Sequence, residues 1–139
     1  MRYRLLIIPA IVAILLLAAC QSMPREVMQF DTDAFGRRDT IEMNSEAAPG
    51  DTVRVMLGSN PSTGYAWGEP DISNEAVIEL KGEPEYIQPD EAYPGAAGFE
   101  QFEFKAREKG ECRVELEYGQ PWEGGEKGTW KFILNVTVE

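Results

Sequence analysis

Residues able to do covalent or acid–base chemistry are scarce in this chain. Its 139 residues include no histidine and two cysteines. That removes Ser-His and Cys-His nucleophilic centres, imidazole zinc sites and histidine proton transfer. No Gly-rich phosphate loop, GxSxG elbow, HExxH helix or calcium-binding loop pattern is present. Carboxylates are plentiful, so residue type alone leaves a glycosidase-like acid pair open. Glu103, Glu115 and Glu117, however, alternate with apolar positions and stand beside Lys105, Arg107 and Arg113, the pattern of a solvated charged face. Asp31 and Asp33 form only a weak calcium-like pair. Cys112 falls in step with Val114, Leu116 and Tyr118, which reads as a buried thiol rather than a reactive one. An enzyme is not expected, and neither is a metal or cofactor.

Recognition by shape is what remains. Three segments carry it: Asn60-Pro61-Ser62-Thr63-Gly64, Gly95-Ala96-Ala97-Gly98 and Gln120-Pro121-Trp122. Pro61 fixes φ and lacks an N–H, Gly64 permits a backbone conformation closed to other residues, and Ser62 and Thr63 offer hydroxyls at the tip. Such a loop is stiff before it meets a partner, which lowers the ordering cost of binding. Trp122, between a proline and Glu123-Gly124-Gly125, is badly placed for a core and well placed for an anchor. Trp67 and Trp130 stand among aliphatic strand positions and read as core; Tyr65 fits either side.

The elements that must hold these segments have period two. Val53, Val55 and Leu57 alternate with Thr52, Arg54 and Met56; Phe102, Phe104 and Ala106 alternate with Glu103, Lys105 and Arg107; Trp130 to Val138 repeats the pattern. About seven strands are expected, near 39–45, 52–58, 65–67, 76–81, 99–107, 112–118 and 129–138, with 83–87 able to pair as well. Short strands separated by turns argue for an all-β fold, an immunoglobulin-like β-sandwich. No helix is needed. In an up-and-down order of strands, alternate connections share an end. Residues 59–64, 82–98 and 119–128 therefore cluster, while the short polar connections 46–50, 68–75 and 108–111 lie opposite.

These residues resemble a known family. Asn60 to Gly64, followed by Tyr65-Ala66-Trp67, is similar to the NPTTG loop of the chagasin family, inhibitors of papain-like cysteine peptidases with an immunoglobulin-like fold. Gly95 to Gly98 resembles that family's GxGG loop, and Leu116 to Glu123 its RPW loop with the preceding strand. The resemblance covers roughly 39–139. It implies a reversible wedge: 60–64 across the peptidase's catalytic cysteine and histidine, with Ser62 and Thr63 offering hydroxyls near that histidine. Residues 95–98 and 120–122 would grip the cleft walls. Two positions depart from the family: Ala97 replaces a glycine, which would tilt the middle loop, and Gln120 replaces an arginine, which removes a charged contact. With those departures, a second reading stays open, an envelope protein that binds a glycan or an assembly partner through the same loop end.

The N-terminus speaks to location. Met1-Arg2-Tyr3-Arg4 is basic, Leu5 to Leu17 is almost unbroken apolar sequence, and Ala18-Ala19-Cys20 follows. That is an export signal, too short and too poorly flanked for a spanning helix. Leu17-Ala18-Ala19-Cys20 resembles the lipobox of bacterial lipoproteins, which implies cleavage before Cys20 and lipidation of its thiol, including palmitate. Ser22 then favours the outer membrane in a Gram-negative cell. The expected organisation is a signal peptide at 1–19, lipidated Cys20 and a tether at 20–38 with room for a short ordered piece around Phe30 to Phe35, and the inhibitor domain at 39–139. Cleavage deletes Arg2 and Arg4 and takes the formal charge from −11 to −13. So acidic a chain disfavours nucleic acid and anionic lipid surfaces. A monomer is expected, held in the cell envelope by its lipid and partnered by a papain-like cysteine peptidase.

Overall fold

The computed structural model describes residues 25–139. The segment 1–19 read as a signal peptide, Cys20 and residues up to 24 lie outside the described residues. Ten strands form two five-stranded sheets: β1 Glu26–Phe30, β2 Thr40–Ala47, β3 Thr52–Ser59, β4 Ala66–Trp67, β5 Asp71–Ile72, β6 Ile78–Leu80, β7 Glu85–Ile87, β8 Gly98–Ala106, β9 Gly110–Gly119 and β10 Trp130–Val138. A short helix, α1 Thr32–Arg37, joins β1 to β2. One sheet runs β1-β3-β8-β6 with β7 also on β8; the other runs β2-β10-β9-β4 with β5 also on β9.

Alternation is the cause of this layering. Along β9, Cys112, Val114, Leu116 and Tyr118 are buried while Glu111, Arg113 and Glu117 face solvent. Val53, Val55 and Leu57 of β3 meet Phe102 and Phe104 of β8 and, across the sandwich, Phe132, Leu134 and Val136 of β10, in one apolar core. The outer faces are charged and paired. Arg54 donates to Glu103 at 2.7 and 3.0 Å, and Lys131 lies 2.7 Å from Glu115 and 3.1 Å from Glu117. The Arg54 guanidinium holds the Glu103 carboxyl below its usual range, and the Lys131 ammonium does the same for Glu115. A general acid needs the opposite shift. Glu103, Glu115 and Glu117 stand on these paired outer faces, as read from the sequence, and Cys112 is buried.

All seven expected strands are present within two residues of their expected bounds, and 85–87 pairs as well. The N-terminal segment corrects the expectation. Of the stretch read as a tether at 20–38, residues 26–37 are part of the sandwich, and the chain does contain a helix. β1 pairs parallel with β3 from Glu26↔Val53 to Phe30↔Leu57. Asp31, half of the supposed calcium-like pair, is the N-cap of α1 and accepts the Ala34 N–H at 2.8 Å. Phe35 is fully buried, 5.0 Å from the Trp67 ring and 5.4 Å from Trp130, on which it stacks. Its aromatic area supplies the gain that orders so short a helix, since six residues do not hold a helix on their own. The order is also not a simple up-and-down one. The first and last strands of the second sheet, β2 and β10, run parallel, and the chain changes sheet between β1 and β2 and again between β2 and β3. The parity of the loops survives this, because each later change of direction still returns the chain to the same end.

Candidate functional site

Register places the three segments together. Ser59, the last residue of β3, pairs with Gly98, the first of β8, and Ala66 of β4 pairs with Gly119, the last of β9. Residues 60–64, 95–98 and 120–122 therefore leave the sheets at one end, and hydrogen bonds tie them. The Asn60 backbone N–H donates to the Tyr118 hydroxyl at 3.0 Å, and the Asn60 side chain donates to the Gly95 carbonyl at 2.9 Å. Trp122 closes the other side. A Cβ at Gly64 would lie 2.6 Å from the edge of the indole ring, so the glycine lets that edge close against the first loop. Gly64 is also left-handed, at φ 82°, which ends the single 3-10 turn Pro61–Thr63.

Within the first loop the hydroxyls are already engaged. Thr63 Oγ1 donates to the Asn60 carbonyl at 2.6 Å, and Ser62 Oγ donates to Asn60 Oδ1 at 2.6 Å. Backbone N–H groups of Thr63 and Gly64 donate to Asn60 and Pro61 carbonyls, both at 3.0 Å. Ser62 and Thr63 remain exposed, so what they present outward is oxygen lone pairs: acceptors, not donors. An imidazolium N–H could use them.

The two departures have physical explanations. Ala97 needs no glycine conformation, because no non-glycine residue among those described has positive φ. Its methyl lines an apolar recess of about 270 Å³ with Asn60, Thr63, Tyr118 and Trp130. Gly98 is where a side chain is barred: a Cβ would sit 2.3 Å from the Ile87 carbonyl. Gln120 turns into its own loop. Its Oε1 accepts the Glu126 N–H at 3.0 Å while its N–H donates to the Glu126 carbonyl at 2.6 Å. Lys127 Nζ donates to the Trp122 carbonyl at 2.9 Å and also reaches the Gln120 carbonyl. The loop is thereby shut behind Trp122, which keeps 50% of its surface exposed.

Beneath the loops lies an aromatic stack that sequence patterning only partly found. Tyr118 stacks on Trp130 at 4.7 Å and 7°, on Tyr65 at 5.7 Å, and meets Trp67 at 5.1 Å. Trp67 is buried and Trp130 half-buried. Tyr65 is half-buried, its hydroxyl donating to Glu126; that bond holds the Tyr65 phenol proton above its usual range. The Glu100 carboxylate accepts the Trp67 N–H at 2.8 Å and so ties β8 to β4 across the sandwich; burial pushes its pKa up. Tyr118 and Phe35 are the supporting residues that site reasoning missed. Tyr118 carried a signal, an aromatic on the inner face at the end of a strand before a loop; Phe35 stood only in the short ordered piece expected around 30–35, with nothing to tie it to the site.

A model of the chagasin family peptidase inhibitors (I42) matches residues 46–136. The chain belongs to this family. It is 35% identical over 91 residues to chagasin of Trypanosoma cruzi, covering 63% of this chain and 81% of chagasin. Amoebiasin-2 of Entamoeba histolytica is 29% identical over 95 residues, covering 63% of this chain and 71% of that one. Among solved structures, a cysteine protease inhibitor of Entamoeba histolytica matches with a TM-score of 0.62 at 18% identity, over 82% of this chain and 96% of the other. PbICP-C, solved in complex with falcipain-2, matches with a TM-score of 0.56 at 14% identity, over 82% and 99%. The protein is thus an immunoglobulin-like β-sandwich of a family of cysteine protease inhibitors, and not an enzyme.

Proposed function

We propose that this chagasin-family inhibitor blocks the active-site cleft of papain-like cysteine peptidases with residues 60–64, 95–98 and 120–122 acting as one rigid edge, displayed in the cell envelope by a lipid on Cys20. The observation that carries this reading is the coupling of the three loops: Asn60 bonded to Gly95 and Tyr118, and Gly64 against the edge of the Trp122 ring. The matching structure solved in complex with falcipain-2 supports the choice of peptidase class.

The geometry suits a wedge that is not itself cut. A peptidase attacks a carbonyl held in extended, accessible backbone. In residues 60–63 the Asn60 carbonyl accepts from both Thr63 N–H and Thr63 Oγ1, and the Pro61 carbonyl accepts from Gly64 N–H. Those carbonyls are turned inward, away from an approaching thiolate. Exposed Pro61, Ser62 and Thr63 then occupy the cleft over the catalytic pair, with the Ser62 and Thr63 oxygens able to accept from a histidinium N–H. Trp122 lies along one wall and Gly95 to Gly98 along the other. A standard interface of about 1,600 Å² is in keeping with three such loops.

Location rests on the sequence of residues 1–20, where a basic start, an apolar run and Leu17-Ala18-Ala19-Cys20 form the export and lipidation signal. Titrating the purified protein against papain and several cathepsins tests the inhibitory reading. Reversible, stoichiometric loss of peptidase activity with the inhibitor chain uncut is expected. No inhibition of any of them at micromolar protein would contradict it.

A further inference from the structure

The strand that follows the lipidation site fixes which way the molecule faces. β1 runs parallel to β3, so its first residues lie at the end where β3 begins, and the inhibitory loop lies where β3 ends. Arg25 marks that starting end: its N–H donates to the Thr52 carbonyl at 2.9 Å and its guanidinium pairs with Asp51 at 3.0 Å. The same end holds the 48–51 turn, where Gly50 N–H donates to the Ala106 carbonyl, and the connection after Ala106, where Arg107 N–H donates to the Val77 carbonyl. From Val53, level with Glu26, to Asn60 is seven residues of extended chain, about 23 Å.

We infer that the turn end, formed by 48–51, 74–77 and 107–110, is the surface that meets the bilayer, and that the loop end is held out into the aqueous phase to take water-soluble peptidases rather than one embedded in the same membrane. The inference rests on the lipid anchor at Cys20 proposed above. Four residues separate Cys20 from Arg25, and that length of chain reaches at most about 17 Å. The reach is shorter than the distance from Arg25's end to the loops, so the tether does not allow the molecule to invert. β1 is also not a loose lead. It is paired with β3 along its whole length, Met28 is buried, and α1 fastens it again through Phe35. Residues 25–45 lie before the stretch matched by the family model, so this built-in polarity comes from the part of the chain outside that match.

Energy transfer to the membrane surface tests it. The acylated full-length protein, with buried Cys112 replaced by alanine and a donor dye on Lys109→Cys or on Glu123→Cys, is placed in vesicles whose phosphatidylethanolamine headgroups carry an acceptor. Transfer several-fold stronger from position 109 than from position 123 is expected. Equal transfer means a molecule lying flat, and stronger transfer from 123 an inverted one; either overturns the inference. Failure to float with the vesicles removes the anchor, and the inference with it. In parallel, papain inhibition by the unlabelled acylated protein is compared in vesicles and in detergent, and unchanged potency is expected. Inhibition in detergent that is lost in vesicles also overturns the inference. Absence of inhibition in both forms counts against the inhibitory reading instead and leaves the transfer result standing.

Discussion

The two ends of the sandwich are built from the same strands and finished differently. At the turn end, the bonds between connections are backbone to backbone: Gly50 N–H donates to the Ala106 carbonyl at 2.8 Å and Arg107 N–H to the Val77 carbonyl at 2.8 Å, while Asp51 closes its own turn by accepting the Ala48 N–H at 2.8 Å. At the loop end side chains make them, from Asn60 to Gly95, from Tyr118 to Asn60 and from Tyr65 to Glu126. Tyr93 and Trp122, at 67% and 50% exposure, stand at the loop end, whereas the turn end presents Arg107, Glu108 and Lys109. Backbone bonds of that kind continue the sheets. Side chains that tie one loop to the next fix a surface in advance, and such a surface loses less freedom on binding.

Several substitutions would break or sharpen this contrast. Phe35→Ala has the largest expected effect. It removes the ring between Trp67 and Trp130 and should destabilise the fold by about 3–5 kcal/mol, measured by chemical denaturation. A loss under about 1 kcal/mol would show that α1 is not part of the loop end's foundation. Trp122→Ala should act on binding instead. Inhibition of papain should weaken by about 2 kcal/mol or more with the melting temperature nearly unchanged, as for a half-exposed anchor. A large fall in melting temperature with unaltered inhibition would reverse that assignment. Asn60→Ala deletes the side-chain bonds to Gly95 and Ser62, and about 1 kcal/mol of binding should go with the coupling between loops. The turn-end control, Lys109→Ala, should change neither inhibition nor stability by more than about 0.5 kcal/mol.

A pH test probes the joint between the sheets at the loop end. Burial raises the folded pKa of Glu100 above its unfolded value. Such a group contributes stability below the unfolded pKa, and that contribution is lost as pH rises through the folded one. At neutral pH the ionised carboxylate therefore works against the fold. Glu100→Gln keeps an acceptor for the Trp67 N–H, so it should give a slightly higher melting temperature at pH 7, the gap closing as pH falls below the carboxylate range. A lower melting temperature at pH 7 would show that charge on that hydrogen bond outweighs the burial.

The loops were legible in the sequence because their chemistry is local. Pro61, Gly64, Gly98 and Pro121 declare turns by type, and alternation in Val53 to Leu57 or Phe102 to Ala106 declares strands. Counting strands was then enough to gather the loops at one end. Of the segment 26–37 only a short ordered piece around 30–35 was legible, for the converse reason. β1 is an edge strand with one buried side chain, Met28, and it is defined by a parallel partner 27 residues away. α1 has six residues and one buried ring, too few for a period of 3.6 to show. Likewise, no rule of composition says that Gln120 turns inward to Glu126, or that the Ser62 and Thr63 hydroxyls are spent within their own loop. Those are properties of three-dimensional closure.

Amide hydrogen exchange of the inhibitor, alone and in complex with papain, tests most directly whether the loop end is a single peptidase-binding edge. Added protection is predicted together at 60–64, 95–98 and Trp122, with none at 48–51 or 107–110. Protection confined to one loop, or appearing at the turn end, would contradict it.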